Sequence, residues 1–189
     1  MRAVRRAVSA LPGNLAFDHL PSTRTSILED VRAGLRAARK SLPPRLFYDA
    51  RGARLFENIC RTPAYYPTRT ELAIMHEHAA SMAHALGRGC TVVELGCGNS
   101  EKSRLLLDAL RPAAFVAVDI AAEQLDASCR VLARRLPGTH IVGLRADFTR
   151  PVRLPAGAVP DGGTRVLYWP GSTIGNFSPA RARAILRRW

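Results

Sequence analysis

Between Thr91 and Leu110 the chain reads TVVELGCGNSEKSRLLLDAL. A five-residue apolar run ends in Glu94-Leu95, two glycines follow within three positions, and a helical pattern begins at once. A strand that turns so abruptly into a helix has little choice of partners. Its glycines supply the tight turn, and the helix N-terminus faces the space beyond the strand's carboxyl end. The pattern then repeats. AAFVAVDI (113–120) reads as a second strand followed by a helix over about 121–135. THIVGLRADF (139–148) contains a third strand. TRVLYWPG (164–171) contains a fourth, with a last helix starting near Ser178. Strands alternating with helices pair in parallel through crossover connections, so the chain is expected to form a doubly wound, mostly parallel α/β sheet of four strands.

Upstream of this sheet the pattern is helical. Ile27, Val31, Leu35 and Ala38 recur at helical spacing over 23–41, and the prolines of LPPR (42–45) stop that helix. An aromatic-rich stretch with turn signals at 49–52 and 63–67 follows, then a second helix over 70–86 closed by Gly87. Residues 1–22 are rich in arginine, with no acid before Asp18, and are expected to form a disordered basic tail. The expected organisation is therefore this tail, a helical segment over 23–88, and an incomplete nucleotide-binding domain over 89–189.

Open α/β sheets bind ligands at the carboxyl ends of their strands. Three strand ends here carry suitable groups. Gly96-Cys97-Gly98 follows the first strand. Asp119 ends the second, where an acid reaches ribose hydroxyls, and Asp147-Phe148 ends the third, where an acid and an aromatic suit an adenine edge and face. Each acid taken alone also reads as an ordinary helix cap or strand end; together they describe a nucleoside pocket. A dinucleotide fingerprint requires a third small residue after the glycines, and Glu101 stands there instead. The loop has no basic diphosphate clamp beyond Lys102. A cofactor with an amine, a carboxylate and a cationic sulfur, S-adenosylmethionine, fits better than a dinucleotide.

Composition narrows the class further. The formal net charge is +13, yet the basic residues are almost all arginine, are scattered along the chain and are not interleaved with aromatics, which argues against a nucleic-acid face. No apolar run is long enough to span a bilayer. Cys60, Cys90, Cys97 and Cys129 form no CxxC pair, and His76 and His78 point to different sides of their helix. No metal site is expected, and reduced thiols fit a cytoplasmic protein.

Three segments carry a more specific signal: LPPRLFYDARGARLFENICRTPAYYPTRTE, VVELGCGNSEKSRLLLDAL and PGSTIGNFSP. Together they closely resemble the histidine-specific methyltransferases. Those enzymes transfer three methyl groups from S-adenosylmethionine to the α-amine of histidine, giving hercynine at the start of ergothioneine synthesis. The resemblance runs from about Leu42 to the end of the chain. It implies a Rossmann-like class I methyltransferase fold, with Gly96 and Lys102 at the methionyl part of the cofactor and Tyr48 closing over it. Asp119 would hold the ribose, and Asp147 with Phe148 the adenine. Tyr65 and Asn176 would approach the amine of the amino-acid substrate. Read without the resemblance, Asn176 is a helix cap or an amide able to orient an amine, and Tyr65 is a core aromatic. No side chain stands out as a general base.

Members of that family are longer, and their later region holds the imidazole. The chain is therefore expected to be a C-terminally truncated member, its fourth strand an open edge and a separate C-terminal fragment a candidate partner. A methyltransferase for another amino acid or amine, and a non-catalytic nucleoside-binding remnant, are the alternative readings.

Overall fold

A computed structural model describes residues 13–19, 27–47, 49–160 and 163–189. The strands are β1 (Leu15–His19), β2 (Thr91–Leu95), β3 (Ala114–Asp119), β4 (His140–Arg145) and β5 (Arg165–Tyr168). They form one sheet in the order β1-β4-β3-β2-β5, with every pairing parallel. The helices are α1 (Ile27–Arg36), α2 (Ala50–Cys60), α3 (Tyr66–Leu86), α4 (Glu101–Leu110), α5 (Ala122–Arg135) and α6 (Pro179–Leu186), with 3-10 turns at Pro44–Phe47 and Thr173–Asn176.

The period-two alternation of the strands divides the core into two layers. Val92, Phe115, Ala117 and Ile141 face one side, where they pack against Ala83 of α3, Leu107 and Leu110 of α4, and Leu125, Cys129 and Leu132 of α5. Val93, Leu95, Val116, Val118, Val142 and Leu144 face the other, against Ile185 of α6 and a group of aromatics that includes Phe148, Trp169 and Phe177. Helices therefore cover both faces, as the alternation of strand and helix predicts.

One expectation fails. The sheet has five strands, because Leu15–His19 lies inside the stretch expected to be a disordered tail and pairs along its whole length with β4, from Leu15↔Ile141 to His19↔Arg145. Long-range contacts hold it there. The Asn14 side-chain amide donates to the carbonyls of Ala133, Leu136 and Thr139 at 3.2, 3.0 and 2.9 Å, filling the carbonyl positions that the end of α5 leaves open. Phe17 lies against Gly143, where any Cβ would come within 2.5 Å of its ring, and the Arg130 guanidinium covers that ring at 5.7 Å. The sheet layer thus reaches back to residue 15 and does not start at 89. The helix expected over 23–41 is described from Ile27 to Arg36, and the residues before Ile27 fall outside the described part.

The order of strands places the site. The chain runs from β2 outward through β3 to β4, then returns to the opposite side of β2 to form β5. The strand order reverses between β2 and β5, so the loops leaving these two strands diverge and open a crevice at their carboxyl ends.

Candidate functional site

The turn after β2 is built from residues in the left-handed region: Gly96 has φ 76°, Gly98 has φ 50°, and Ser100 follows at φ 54°. Gly96 still extends the sheet by donating to the Val118 carbonyl at 2.8 Å. Its missing side chain leaves a specific space. A Cβ there would lie 3.7 Å from the Phe148 ring and 3.7 Å from the Thr173 methyl. The strand-end segments after β2, β4 and β5 thus converge on one glycine. Asn99 stands just before α4, whose cap position is Ser100, and its side-chain oxygen accepts from the Glu101 N–H at 3.1 Å.

Asp119, at the end of β3, braces this turn. One carboxylate oxygen accepts from the Gly98 N–H at 3.0 Å, the other from the Ala121 N–H at 2.9 Å. Burial raises its pKa, and the backbone donors oppose the rise. The Ser128 hydroxyl donates to the Gly98 carbonyl at 2.9 Å, so the turn is also held from α5.

Asp147 and Phe148 follow β4. Asp147 is largely committed to its own loop: one oxygen accepts from the Thr149 N–H at 3.0 Å and from the Thr149 hydroxyl at 2.6 Å. Its other oxygen faces Arg45 at 3.4 Å and Arg150 at 3.5 Å. Arg45 also pairs with Asp30 of α1, so this acid ties the N-terminal helices to the sheet. Phe148 stands edge-on to Trp169 and Phe177, with ring centroids 5.6 and 6.1 Å apart, and these rings wall the crevice beside Gly96.

Lys102, in the first turn of α4, meets a carboxylate that the sequence reading passed over. Its ammonium lies 2.6 Å from Glu71 Oε2, while Glu71 Oε1 accepts from the Gly171 N–H at 2.7 Å. The signal was available, since Glu71 closes the YYPTRTE segment, but only the fold aligns it with both partners. Glu94, just before the glycines, is also more than a strand residue. It is wholly buried, with one oxygen accepting from the Ser103 hydroxyl at 2.6 Å and the other without a hydrogen-bond partner among the described residues. Burial pushes its pKa to about 8, against the help of the Ser103 hydrogen bond, and nearby Asp119 adds to the rise.

Tyr65 caps the start of α3, half-buried, with its ring edge-on to Phe56 at a centroid distance of 5.9 Å. Asn176 closes the 3-10 turn after β5 and is exposed. Tyr48 lies outside the described residues. The structure therefore brings Phe148 against Gly96 and Asp119 against the glycine turn, while Lys102 faces Glu71 and Gly171. Tyr65 and Asn176 stand at the near ends of the elements that Glu71 joins.

Two concavities of about 230 and 250 Å³ lie among α2, α3, α4 and α5. Neither reaches Gly96, Asp119 or Asp147, so strand-end chemistry rather than concavity identifies the site. Among the described residues no group of His, Cys, Asp and Glu is placed to hold a metal ion, and no helix is long and apolar enough to cross a membrane.

The group that fits this crevice can be judged from its donors. It offers a cradle at Gly96, an ammonium at Lys102, a carboxylate at Asp119 and an aromatic wall, while the arginines beside the end of β4, Arg45 and Arg150, are turned to Asp147. Those groups suit an adenosyl amino acid.

Comparison with known proteins agrees. A family model described as histidine-specific methyltransferase, SAM-dependent, matches residues 27–189. The histidine N-alpha-methyltransferase of Mycolicibacterium smegmatis is 44% identical over 175 residues, covering 90% of this chain and 52% of that protein. The histidine N-alpha-methyltransferase of Mycobacterium tuberculosis is 42% identical over 158 residues, covering 82% and 48%. A 4-dimethylallyltryptophan N-methyltransferase of Claviceps purpurea is 31% identical over 169 residues, covering 86% and 49%. The chain spans about half the length of these relatives.

Proposed function

Because the chain belongs to the histidine-specific, S-adenosylmethionine-dependent methyltransferase family, we propose that it binds S-adenosylmethionine over the ends of β2, β3 and β4 and methylates the α-amine of histidine. The product of full methylation is hercynine, on the route to ergothioneine. The observation that carries this reading is the convergence of Gly96, Phe148 and Thr173, braced by Asp119 through Gly98.

S-adenosylmethionine supplies a methyl group already activated on a sulfonium. What remains for the protein is position: a neutral amine held in line at attack distance needs no covalent help. Gly96 and Lys102 receive the methionyl end. Asp119 takes the ribose hydroxyls, and Phe148 with Asp147 the adenine. Tyr65 and Asn176 orient the amine, so the helical segment over 23–88 contributes to the acceptor side together with the loop after β5. Histidine is preferred over another amine because identity to the two histidine enzymes is 44% and 42%, against 31% to the enzyme named for dimethylallyltryptophan. The four free cysteines suit reaction in the reducing cytoplasm.

The test is calorimetric titration with S-adenosylhomocysteine, comparing the chain with its Asp119→Asn variant. Saturable binding that weakens at least about tenfold in a variant that still melts cooperatively supports the reading. Mass spectrometry after incubation with S-adenosylmethionine and either histidine or tryptophan then reads the acceptor. A folded chain that ignores S-adenosylhomocysteine refutes the cofactor assignment.

A further inference from the structure

Glu71 lies in the second turn of α3, six residues after Tyr65, and its two oxygens reach two other segments. Oε2 binds the Lys102 ammonium at 2.6 Å, on the helix that follows the glycine turn. Oε1 accepts from the Gly171 N–H at 2.7 Å, at the head of the loop that carries Thr173 and Asn176. The backbone conformation at Gly171 favours glycine, and the lysine lies close to it. A Cβ on Gly171 would come within 3.2 Å of the Lys102 ammonium, and the φ of 76° there already favours glycine.

An exposed Lys–Glu pair contributes little, because two flexible side chains must be ordered in a strongly screening solvent. This pair differs on two counts. Both partners are about three-quarters buried, with 22% and 25% of their side-chain surface exposed, and the carboxylate is also anchored by a backbone donor. The buried Glu94 and the half-buried Tyr168 stand nearby; burial is the main cause that raises both pKa values, with a smaller contribution from the charge of Glu71. Lys102 is thus a cation paired with one anchored carboxylate, and among the described residues its ammonium makes no other hydrogen bond, so two of its three N–H groups are left for another acceptor.

We propose that Glu71 is a positioning residue that aims Lys102 at the α-carboxylate of the cofactor and, through Gly171, fixes the loop bearing Asn176, so that the cofactor and acceptor sides are set by one carboxylate. The inference rests on the cofactor reading above and adds a claim about which part of the ligand feels Glu71. A residue acting through Lys102 affects the amino-acid end alone. A residue that merely stabilises the fold affects every ligand of the crevice.

Two ligands separate these cases. S-adenosylhomocysteine carries the amino-acid end; 5′-methylthioadenosine keeps the nucleoside and lacks the carboxylate. Affinities for both are measured by calorimetry for the wild-type chain, Glu71→Gln, Lys102→Ala and the double variant, each checked by thermal melting. The expected result is about a tenfold loss for S-adenosylhomocysteine in Glu71→Gln, the weight of one charge-assisted contact, with methylthioadenosine unchanged. The double variant then binds no more weakly than Lys102→Ala alone. Glu71→Asp, charged but one methylene short, is the second variant should the glutamine form melt too early, and the same ligand-selective loss is expected. Unchanged binding of S-adenosylhomocysteine, equal losses for both ligands, or additive losses in the double variant overturn the positioning role and leave the cofactor reading standing. A folded wild-type chain that binds neither ligand removes both.

Discussion

The two halves of the site are built on very different supports. The residues assigned to the cofactor follow β2, β3 and β4, whose inward-facing side chains are almost wholly buried; Val92, Phe115, Val116 and Leu144 expose nothing. The segment that leads to Tyr65 rests on α1, which has no buried residue, and on α2, where Leu55, Phe56 and Ile59 are each about half exposed. What joins α1 and α2 to the rest is mostly polar, Arg45 to Asp147 and Gln124 to Glu57 at 2.7 Å, whereas α3 is seated by its buried Met75, Ala79 and Ala83 with the Glu71–Lys102 pair beside them. Packing therefore fixes where the residues proposed for the cofactor stand, while a few hydrogen bonds hold the α1–α2 segment that leads to Tyr65. Opening of α1 and α2 costs less than opening of the sheet, and movement of these two helices is the expected consequence.

The strongest way to break this comparison is to truncate one apolar side chain in each region. Leu107→Ala removes a side chain with 1% exposure between α4 and the sheet, and should cost about 2–5 kcal/mol in urea unfolding. Leu55→Ala, on α2, should cost about 0.5 kcal/mol or less. Equal costs would mean that the helical segment is packed as tightly as the sheet.

A pH-dependent effect of intermediate size sharpens the picture of the sheet. Glu94 titrates near 8 in the folded chain, against 4.5 for an unburied carboxyl. Between those values the folded state holds a proton that the unfolded state has released, so this group lowers stability progressively as pH rises from 4.5 to about 8, and no further above that. Glu94→Gln, which cannot ionise, should therefore match the wild type near pH 4 and melt several degrees higher at pH 8. A difference that stays constant across this range would show that Glu94 remains ionised in the fold.

The smallest effect is expected at the junction. Arg45→Met removes the contacts to Asp30 and Asp147 and should lower global stability by about 1 kcal/mol or less. Hydrogen exchange reads it better: amides of α1 and α2 should exchange faster while those of β2, β3 and β4 keep their protection. Uniform acceleration would refute the division into two supports.

Some of this architecture is legible in the sequence because it depends on local pattern. Apolar runs of strand length, glycines directly after TVVEL, and acids closing the next two strands are all properties of short windows. They locate β2, β3, β4 and β5, and they nominate Gly96, Asp119, Asp147 and Phe148. YYPTRTE and GSTIGN likewise stand out as segments and mark Tyr65 and Asn176. The same windows mislead where a partner is distant. LAFDH looks like the end of a basic tail because nothing near it signals a strand, and it becomes one only when β4 supplies hydrogen bonds and Gly143 makes room for Phe17.

The sequence by itself thus determined the alternating order of strands and helices, the glycine turn and the set of strand-end groups, since each follows from propensity and periodicity within a few residues. Only the tertiary structure decided that β1 joins the sheet, that Asp147 is shared between its own loop and Arg45, and that Glu71 bridges Lys102 and Gly171. Each of those depends on a contact between residues that are far apart in the chain. Such a contact forms only after packing of the core has ordered the intervening segments, and no local pattern records which distant group will then lie within hydrogen-bonding reach.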